Sequence, residues 1–137
     1  MKQEQTTKKK ASGKSSKTIV GIDEKIILIG EDREKEVWAR IDTGATHSSI
    51  DLKLASEIGL GPIKKTKVIK SSHGKSVRPV VVCKLKIKDK IIESAFTVYN
   101  RSHMTYPVLI GQNTLKNNGF MVDPDISNRK IKKKNKD

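Results

Sequence analysis

The sequence predicts a mainly β domain: a small closed or partly open barrel with one or two short helices. Short runs rich in Val and Ile recur along the chain, turn residues separate them, and only two short segments are predicted to be helical. The chain has 137 residues, and a domain near this size buries roughly two-thirds of its unfolded surface. We therefore expect a single core over residues 18–127.

Two strands joined by a turn form the first part of the predicted core. KIILIG at 25–30 is short, apolar and β-branched, and VWARID at 37–42 alternates apolar with polar residues. The charged run EDREKE at 31–36 separates them. This arrangement is typical of two strands connected by an exposed turn.

A short amphipathic helix is predicted over 50–60, where apolar side chains recur every four residues in IDLKLASEIGL. Ser48 or Ser49 is the expected N-cap, because a hydroxyl before the first turn can accept hydrogen bonds from free backbone amides. Gly59 is the expected left-handed residue that ends the helix.

The second half of the core is predicted to start with a hairpin. Two strand-like runs within 64–87 flank the turn SSHGK, which has Gly74 at its tip. The later elements are, in order, a turn at 88–90, a strand at 91–100, a buried strand at 106–111, a helix at 112–119, and a last strand at 120–123 that Pro124 ends.

Basic residues are concentrated at the two ends of the chain. Residues 1–17 hold six Lys against one Glu, and residues 128–137 hold six Lys or Arg against one Asp. Both segments lack the apolar content that would offset ordering entropy, so we expect disordered basic tails. Two interpretations stand: the tails are solvated segments that aid solubility, or they bind nucleic acid or acidic protein by counterion release.

The composition indicates a reducing, cytoplasmic setting. The single cysteine, Cys83, lies in an apolar run and is expected to be a buried small hydrophobe rather than part of a disulfide. The N-terminus has no apolar signal region, and no stretch approaches 18 apolar residues. We therefore expect no association with a membrane.

The segment ARIDTGATHSSID at 39–51 is the densest group of functional side chains in the chain. Taken alone, Asp42-Thr43-Gly44 has two interpretations. It could be a tight turn in which Asp42 caps a neighbouring amide, or it could present a catalytic carboxylate.

The segment IDTGATHSSIDLKLASEIGL resembles the active-site segment of retroviral-type aspartic proteases, the retropepsin-like family. In that family a glycine-tipped hairpin, the flap, follows, and an apolar strand ending in glycine plus a short helix completes the fold. SSHGK within 64–87 and VLIGQNTL at 108–115 stand in the same order here. The resemblance covers roughly residues 20–124 and implies a barrel of the retropepsin, or acid protease, type.

A narrower resemblance is to the retropepsin-like proteins known as RimK-associated or ATP-dependent zinc proteases. It rests on VGIDEKIILIG, VWARIDTGAT, VRPVV and RSHMTYPVLIGQNTLKNNGFMVDP, with Gln112 where that pattern would have arginine. The name implies zinc and ATP. However, His47, His73 and His103 are not at ligand spacing, and the chain has no phosphate-binding loop, so we expect no cofactor and no metal.

The resemblance assigns the roles of the site residues. Asp42, Thr43 and Gly44 would be catalytic: Asp42 shares a proton with a second carboxylate, Thr43 bonds across to the partner loop, and Gly44 permits a sharp turn. Substrate would be bound by Ala45 and by three residues of the flap hairpin, namely His73, Gly74 and Arg78. His47 and His73 could equally be exposed loop histidines.

The predicted function is that of a homodimeric aspartic endopeptidase. The chain has one Asp-Thr-Gly and no second copy, so the resemblance implies that each subunit supplies one Asp42 at a two-fold axis. Arg78 and Arg101 would place positive charge near the cleft. The RimK-associated family that the chain resembles is linked with a glutamate ligase. Together they suggest an acidic or glutamate-rich protein segment as substrate. The alternative is a non-catalytic module of the same fold that binds acidic protein or RNA through its basic surface and tails.

Overall fold

The structure is a computed structural model that describes residues 16–61, 65–72 and 74–129. The predicted tails lie outside these described residues, except for 16–17 and 128–129. The described part contains nine strands and two short helices, which are β1 (Thr18–Val20), β2 (Asp23–Ile29), β3 (Glu34–Ile41), β4 (Ser48–Asp51), α1 (Leu52–Ile58), β5 (Lys65–Ser71), β6 (Gly74–Ile87), β7 (Lys90–Tyr99), β8 (Val108–Ile110), α2 (Gln112–Leu115) and β9 (Phe120–Val122).

Six of the strands close into a barrel, which confirms the predicted fold class. They follow one another in the order β2-β3-β8-β4-β7-β6, and β6 pairs back with β2 through Ile27 opposite Lys86. Closure removes the free sheet edges that β2 and β6 would otherwise expose. Strand β5 lies outside the ring and pairs only with β6, so these two strands form a projecting hairpin.

The core is formed by alternate residues of the barrel strands. In β6 the residues from Val81 to Ile87 alternate between buried and exposed, as a strand with one face toward the core requires. Phe96 is the largest of the fully buried side chains. Cys83 is buried among them, as expected, and burial raises the pKa of its thiol to about 11.

Helix α1 ends where the sequence predicts but does not begin with the predicted cap. Gly59 has φ 78° and ends the helix in the left-handed conformation. The N-cap is Asp51, whose carboxylate accepts hydrogen bonds from two backbone amides of the first turn. The prediction of Ser48 or Ser49 as N-cap was wrong, because both residues lie in β4, which continues between β8 and β7 as far as Asp51.

Helix α2 is shorter than predicted. It forms a single turn, Gln112–Leu115, whereas the sequence predicts about two turns of helix over 112–119, closed by Gly119. Asn117 and Gly119 have φ 64° and 76°, in the left-handed region that an α-helix cannot accommodate. The chain therefore turns back into β9, which pairs in parallel with β1 in a separate two-stranded sheet.

A buried carboxylate ties the end of the described chain to the barrel. Asp23 is 1% exposed, and it accepts hydrogen bonds from the Tyr106 hydroxyl (2.8 Å) and from the backbone amides of Asn128 (2.7 Å) and Arg129 (3.1 Å). Burial alone would raise the pKa of Asp23, but these bonds and the charge of Arg40 outweigh it and lower the pKa below the ordinary 3.8. Ordered contacts thus extend two residues past the predicted boundary at 127.

Candidate active site

The Asp-Thr-Gly motif forms a tight loop between β3 and β4. The backbone amide of Asp42 donates to Ile110 O (2.9 Å), which holds the loop against β8. The amide of Gly44 donates to Asp42 Oδ1 (2.9 Å), and the amide of Ala45 donates to Asp42 O (3.2 Å). The turn-capping bond expected of an isolated Asp-Thr-Gly is therefore present, and it also fixes the direction of the half-buried carboxylate.

The start of α2 supports this loop from behind. Gln112 donates its backbone amide to Ala45 O (2.7 Å) and its side-chain Nε2 to Thr43 O (2.8 Å). The amide of Asn113 donates to Thr46 O (3.2 Å). In the sequence Gln112 stands out only as a departure from the expected arginine, so this supporting role was missed. No local pattern could have revealed it, since the residues it joins are 69 apart.

A buried polar network connects the loop to the barrel. Ser48 Oγ accepts a hydrogen bond from the amide of Gly111 (2.9 Å) and is hydrogen-bonded to Thr114 Oγ1, which in turn bonds to Ser94 Oγ (2.7 Å). Asn113 Oδ1 accepts a bond from the amide of Ser48 (2.7 Å). These bonds explain why a serine is buried at the start of β4, where the sequence suggested a helix cap.

Replacing Gly111 with Ala is expected to displace the loop. The new Cβ would lie 2.8 Å from both Ala45 O and the carbonyl carbon of His47, and backbone atoms cannot move aside without a shift of the loop. We expect a loss of stability of about 1–3 kcal/mol, as for other overpacked sites, together with a loss of catalytic activity per folded molecule. Chemical denaturation and steady-state kinetics measure the two effects separately.

The matched control for Gly111→Ala is Ser94→Ala. It removes the outer member of the same network without bringing any atom toward the loop. This variant should lose stability but keep its activity per folded molecule. If Gly111→Ala keeps wild-type activity and stability, the close approach of Gly111 to Ala45 and His47 does not hold the loop in place.

A groove of about 550 Å³ opens beside the loop. Its floor is a row of paired residues, Leu109, Ser49 and Thr97, from the neighbouring strands β8, β4 and β7. The projecting hairpin β5–β6 covers it, in the position of the predicted flap. We call this feature the basic groove, and its lining residues are Gly44, Ala45, Thr46, His47, Ser49, Val68, Ile69, Lys70, Arg78, Thr97, Arg101 and Leu109.

The basic groove contains some of the predicted substrate-binding residues but not all of them. Ala45 and Arg78 line it. Gly74, at the hairpin tip with φ 112°, lies beyond its lining, and His73 is outside the described residues. His47 lines the groove as well, and burial and the charge of Lys67 lower the pKa of its imidazole below the ordinary 6.5.

Two arginines give the groove its charge. The Arg78 guanidinium lies over the ring of Tyr99, 3.8 Å from its centroid. Arg101 is only 8% exposed, and its Nε donates to Tyr106 O (3.0 Å). With Lys70 they supply three cations, and none of the lining residues is acidic. Tyr106 itself is buried.

A second concavity borders the Asp-Thr-Gly loop. It measures about 960 Å³, and Thr43 and Gln112 form its border with the loop. We call it the apolar depression after Leu115, Phe120 and Val122; its other lining residues are Lys17, Lys116, Asn117 and Gly119. Thr43 lines this depression and the next residue, Gly44, lines the basic groove, so the two concavities border successive residues of the loop.

Over residues 16–61, 65–72 and 74–129, no three His, Cys, Asp or Glu side chains are grouped as metal ligands would be. Over the same ranges, no helix has the length and apolar character needed to cross a membrane.

The closed barrel, the Asp-Thr-Gly loop and the hairpin above the groove define a retropepsin-like protein. A family model described as "Retropepsin-like aspartic endopeptidase RimB" matches residues 53–135. The chain belongs to this RimB-like family. The match begins after the Asp-Thr-Gly loop and does not include Asp42.

Solved structures share the fold at low sequence identity. The crystal structure of the protein Lpg0085, of unknown function, from Legionella pneumophila is 24% identical, and the match covers 82% of this chain and 97% of that chain with a TM-score of 0.60. The EIAV protease in complex with the inhibitor HBY-793 is 13% identical, with 81% and 96% covered and a TM-score of 0.59. No curated protein matches the sequence.

Proposed function

We propose that this protein is a homodimeric aspartic endopeptidase in which two copies of Asp42 activate a water molecule. One observation carries the proposal: the loop fixes the Asp42 carboxylate through the Gly44 amide, and two concave surfaces border the residues that follow Asp42. One surface has the form of a peptide-binding groove beneath a hairpin. The other is available to a second subunit.

We infer that the second carboxylate comes from another copy of the chain, because the sequence has a single Asp-Thr-Gly. No acidic residue lines either the basic groove or the apolar depression in the described part of the chain. A two-fold axis beside the loop would bring Asp42 of each subunit to the same place, because an isologous interface sets a residue near the axis opposite itself. Thr43 is exposed toward the depression and is suitably placed to bond across the axis.

The proposed chemistry needs only this pair of carboxyls and water. Two carboxylates within hydrogen-bond distance share one proton, since like charges so close cannot both ionise. The ionised carboxylate takes a proton from water as the water oxygen bonds to the peptide carbonyl carbon, while the other carboxyl protonates the carbonyl oxygen. The C–N bond then breaks as the amine nitrogen takes a proton from one carboxyl and a diol hydroxyl returns one to the other.

Hydrolysis is expected to be fastest below neutral pH and to decline as pH rises. The reason is that the pair must hold one proton, and loss of that proton removes the acid that protonates the carbonyl oxygen. A pH–rate profile of kcat measures this. His47→Gln should retain the same declining limb, because His47 lines the groove but is not part of the pair. A profile that rises with pH through neutrality would contradict the mechanism.

The apolar depression is the proposed dimer surface, and Leu115 tests it. Leu115 is partly buried in the monomer, packs against the core and lines the depression. Leu115→Asp should give a folded monomer without activity, because a carboxylate in a buried interface is costly to desolvate. The matched control is Leu60→Asp, which changes another partly buried leucine that lines a different concavity. It should remain dimeric and active.

The proposed substrate is an acidic or glutamate-rich protein segment. The three cations of the groove, with no acidic residue among its lining residues, support this choice. The narrower resemblance to RimK-associated proteases agrees with it. We propose that cleavage requires neither ATP nor zinc, so a chelator should leave the rate unchanged. If the dimer cleaves neither glutamate-rich nor ordinary peptides, the protein is instead a binding module of this fold.

A further inference from the structure

One buried polar group in the basic groove has no role in the mechanism above. Ser49 is 4% exposed, and its Oγ has no hydrogen-bond partner among the described residues. A buried hydroxyl without a partner costs about 1–3 kcal/mol. Ser49 lines the groove, and it lies on the opposite face of β4 from Ser48, whose Oγ belongs to the internal network.

Arg101 lies in the same wall and is held rigidly. Its Nε donates to Tyr106 O (3.0 Å), and its backbone amide donates to Asp51 Oδ1 (2.7 Å). No ion pair joins its guanidinium to a carboxylate in the described part of the chain. The carboxylate of Asp51 attracts this guanidinium without forming a salt bridge to it. A guanidinium that is 8% exposed, lines a groove and forms no salt bridge among the described residues is suited to receive a ligand carboxylate.

The hairpin above the groove also concentrates positive charge. Lys67 lies directly opposite Arg78 across the two strands, and Lys70 lies opposite Lys75. Like charges in directly opposed positions destabilise a hairpin, so an anion beneath it would relieve the repulsion. Arg78 reaches the groove while its guanidinium lies over Tyr99.

We propose that Ser49, Arg101 and Arg78 form a carboxylate-binding subsite for an acidic side chain of the peptide substrate. The inference deepens the proposed protease function and rests on it. Arg101 supplies N–H donors in a planar arrangement that matches a carboxylate, the Ser49 hydroxyl donates to one carboxylate oxygen, and Arg78 adds charge from the hairpin side.

The sheet register places this subsite relative to the reacting bond. Ser49 pairs with Leu109, and Leu109 pairs with Arg40, which precedes Asp42 by two residues in β3 and the following loop. Two strand spacings amount to roughly 10 Å across the sheet, and the two residues from Arg40 to Asp42 add about 6.6 Å along it, so Ser49 lies roughly 12 Å from Asp42. An extended peptide advances about 3.3 Å per residue, so the recognised acidic residue would lie about three to four residues from the cleaved bond. Two-fold symmetry repeats the subsite on the other side of that bond.

The test compares peptides that differ in single carboxylates. A parent peptide with Glu three residues on each side of the cleaved bond is compared with its Glu→Gln versions and with a C-terminally amidated version. We expect each Glu→Gln change to raise KM by about 10-fold or more, the effect of losing one charged hydrogen bond. Amidation should have little effect. If amidation alone abolishes the preference for the parent peptide, the subsite binds a terminal carboxylate rather than a side-chain carboxylate, and the proposal is overturned.

Substitutions test whether these three residues cause the preference for Glu over Gln in the peptide. Ser49→Ala and Arg78→Gln should each reduce the preference for Glu over Gln by about 3-fold while the variants stay folded. Arg101→Gln should remove it, and Arg101→Lys should restore only part of it, since lysine lacks the planar donors. The matched control is Arg40→Gln, an exposed arginine that does not line the groove. An unchanged preference in Ser49→Ala and Arg78→Gln would overturn the assignment.

A binding measurement separates this inference from the protease proposal. The Asp42→Asn protein should bind the parent peptide, measured by fluorescence anisotropy, and should bind the Glu→Gln peptides about 10-fold more weakly. If binding shows this preference but the wild-type protein cleaves nothing, the subsite stands and the protease proposal fails. If the wild-type protein cleaves peptides and the Asp42→Asn protein binds the Glu and Gln peptides equally, the subsite fails.

Discussion

Replacing Asp42 with Asn is expected to reduce kcat for peptide cleavage by at least about 10³-fold, within the range typical of general acid–base groups. Asparagine keeps the size of the side chain and an oxygen that can accept the Gly44 amide bond. It cannot take a proton from water, however, and cannot share one with the opposite subunit. Steady-state kinetics on a cleavable peptide, with the protein held at a concentration where it is dimeric, measures the effect.

The control for Asp42→Asn is the same substitution at Asp89, an exposed residue in the turn between β6 and β7. Asp89→Asn should leave kcat unchanged. Sedimentation analysis should show that Asp42→Asn still forms dimers, so that lost activity is not lost assembly. If Asp42→Asn cleaves peptide at the wild-type rate, the carboxylate is not catalytic and the loop serves only as a turn.

Replacing Asp23 with Ala is expected to destabilise the fold by about 3 kcal/mol or more. The change leaves the buried Tyr106 hydroxyl and the part-buried amides of Asn128 and Arg129 without their acceptor. A buried donor left unsatisfied costs about 1–3 kcal/mol, and loss of the two amide bonds adds about 0.5–1.5 kcal/mol each. Urea denaturation measures the free energy of unfolding. Asp89→Ala is the control, since exposed substitutions usually change stability by less than about 0.5 kcal/mol.

The Asp23 effect should depend on pH in a defined direction. The pKa of Asp23 in the folded protein is below the ordinary 3.8. Its contribution is therefore fully present above that ordinary value and is lost as pH falls through the folded pKa. The difference in stability between wild type and Asp23→Ala should be constant near neutral pH and shrink only below 3.8. A difference that shrinks between pH values of about 5 and 7 would mean that another group is responsible.

The sequence predicts the barrel well because most of its signals are local. Alternating burial appears in β6, the hairpin turn falls just before Gly74, and Gly59 ends α1 in the left-handed conformation. The errors arise where distant pairing decides the outcome. Ser48 and Ser49 have the local chemistry of helix caps, but pairing of β4 with two other strands draws both into the sheet.

The candidate site is only half predictable for the same reason. The Asp-Thr-Gly tripeptide identifies Asp42 as a candidate. The order of the loop and the hairpin along the chain identifies Ala45 and Arg78 as candidate groove residues. The support from Gln112 and the unpartnered hydroxyl of Ser49 depend on contacts between residues far apart in the chain. Arg101 was noted as part of a motif, but only the structure shows that it is buried in the groove wall.

The most direct test of the central claim is a subunit-mixing experiment. Equal amounts of wild-type and Asp42→Asn protein are mixed, allowed to exchange subunits, and assayed at fixed total concentration. If the active site needs Asp42 from both subunits, random exchange leaves only about one quarter of the dimers active. Activity should then fall to about one quarter of that of the same total amount of wild-type protein. Activity of about one half would show that each subunit works alone and would contradict the shared dyad.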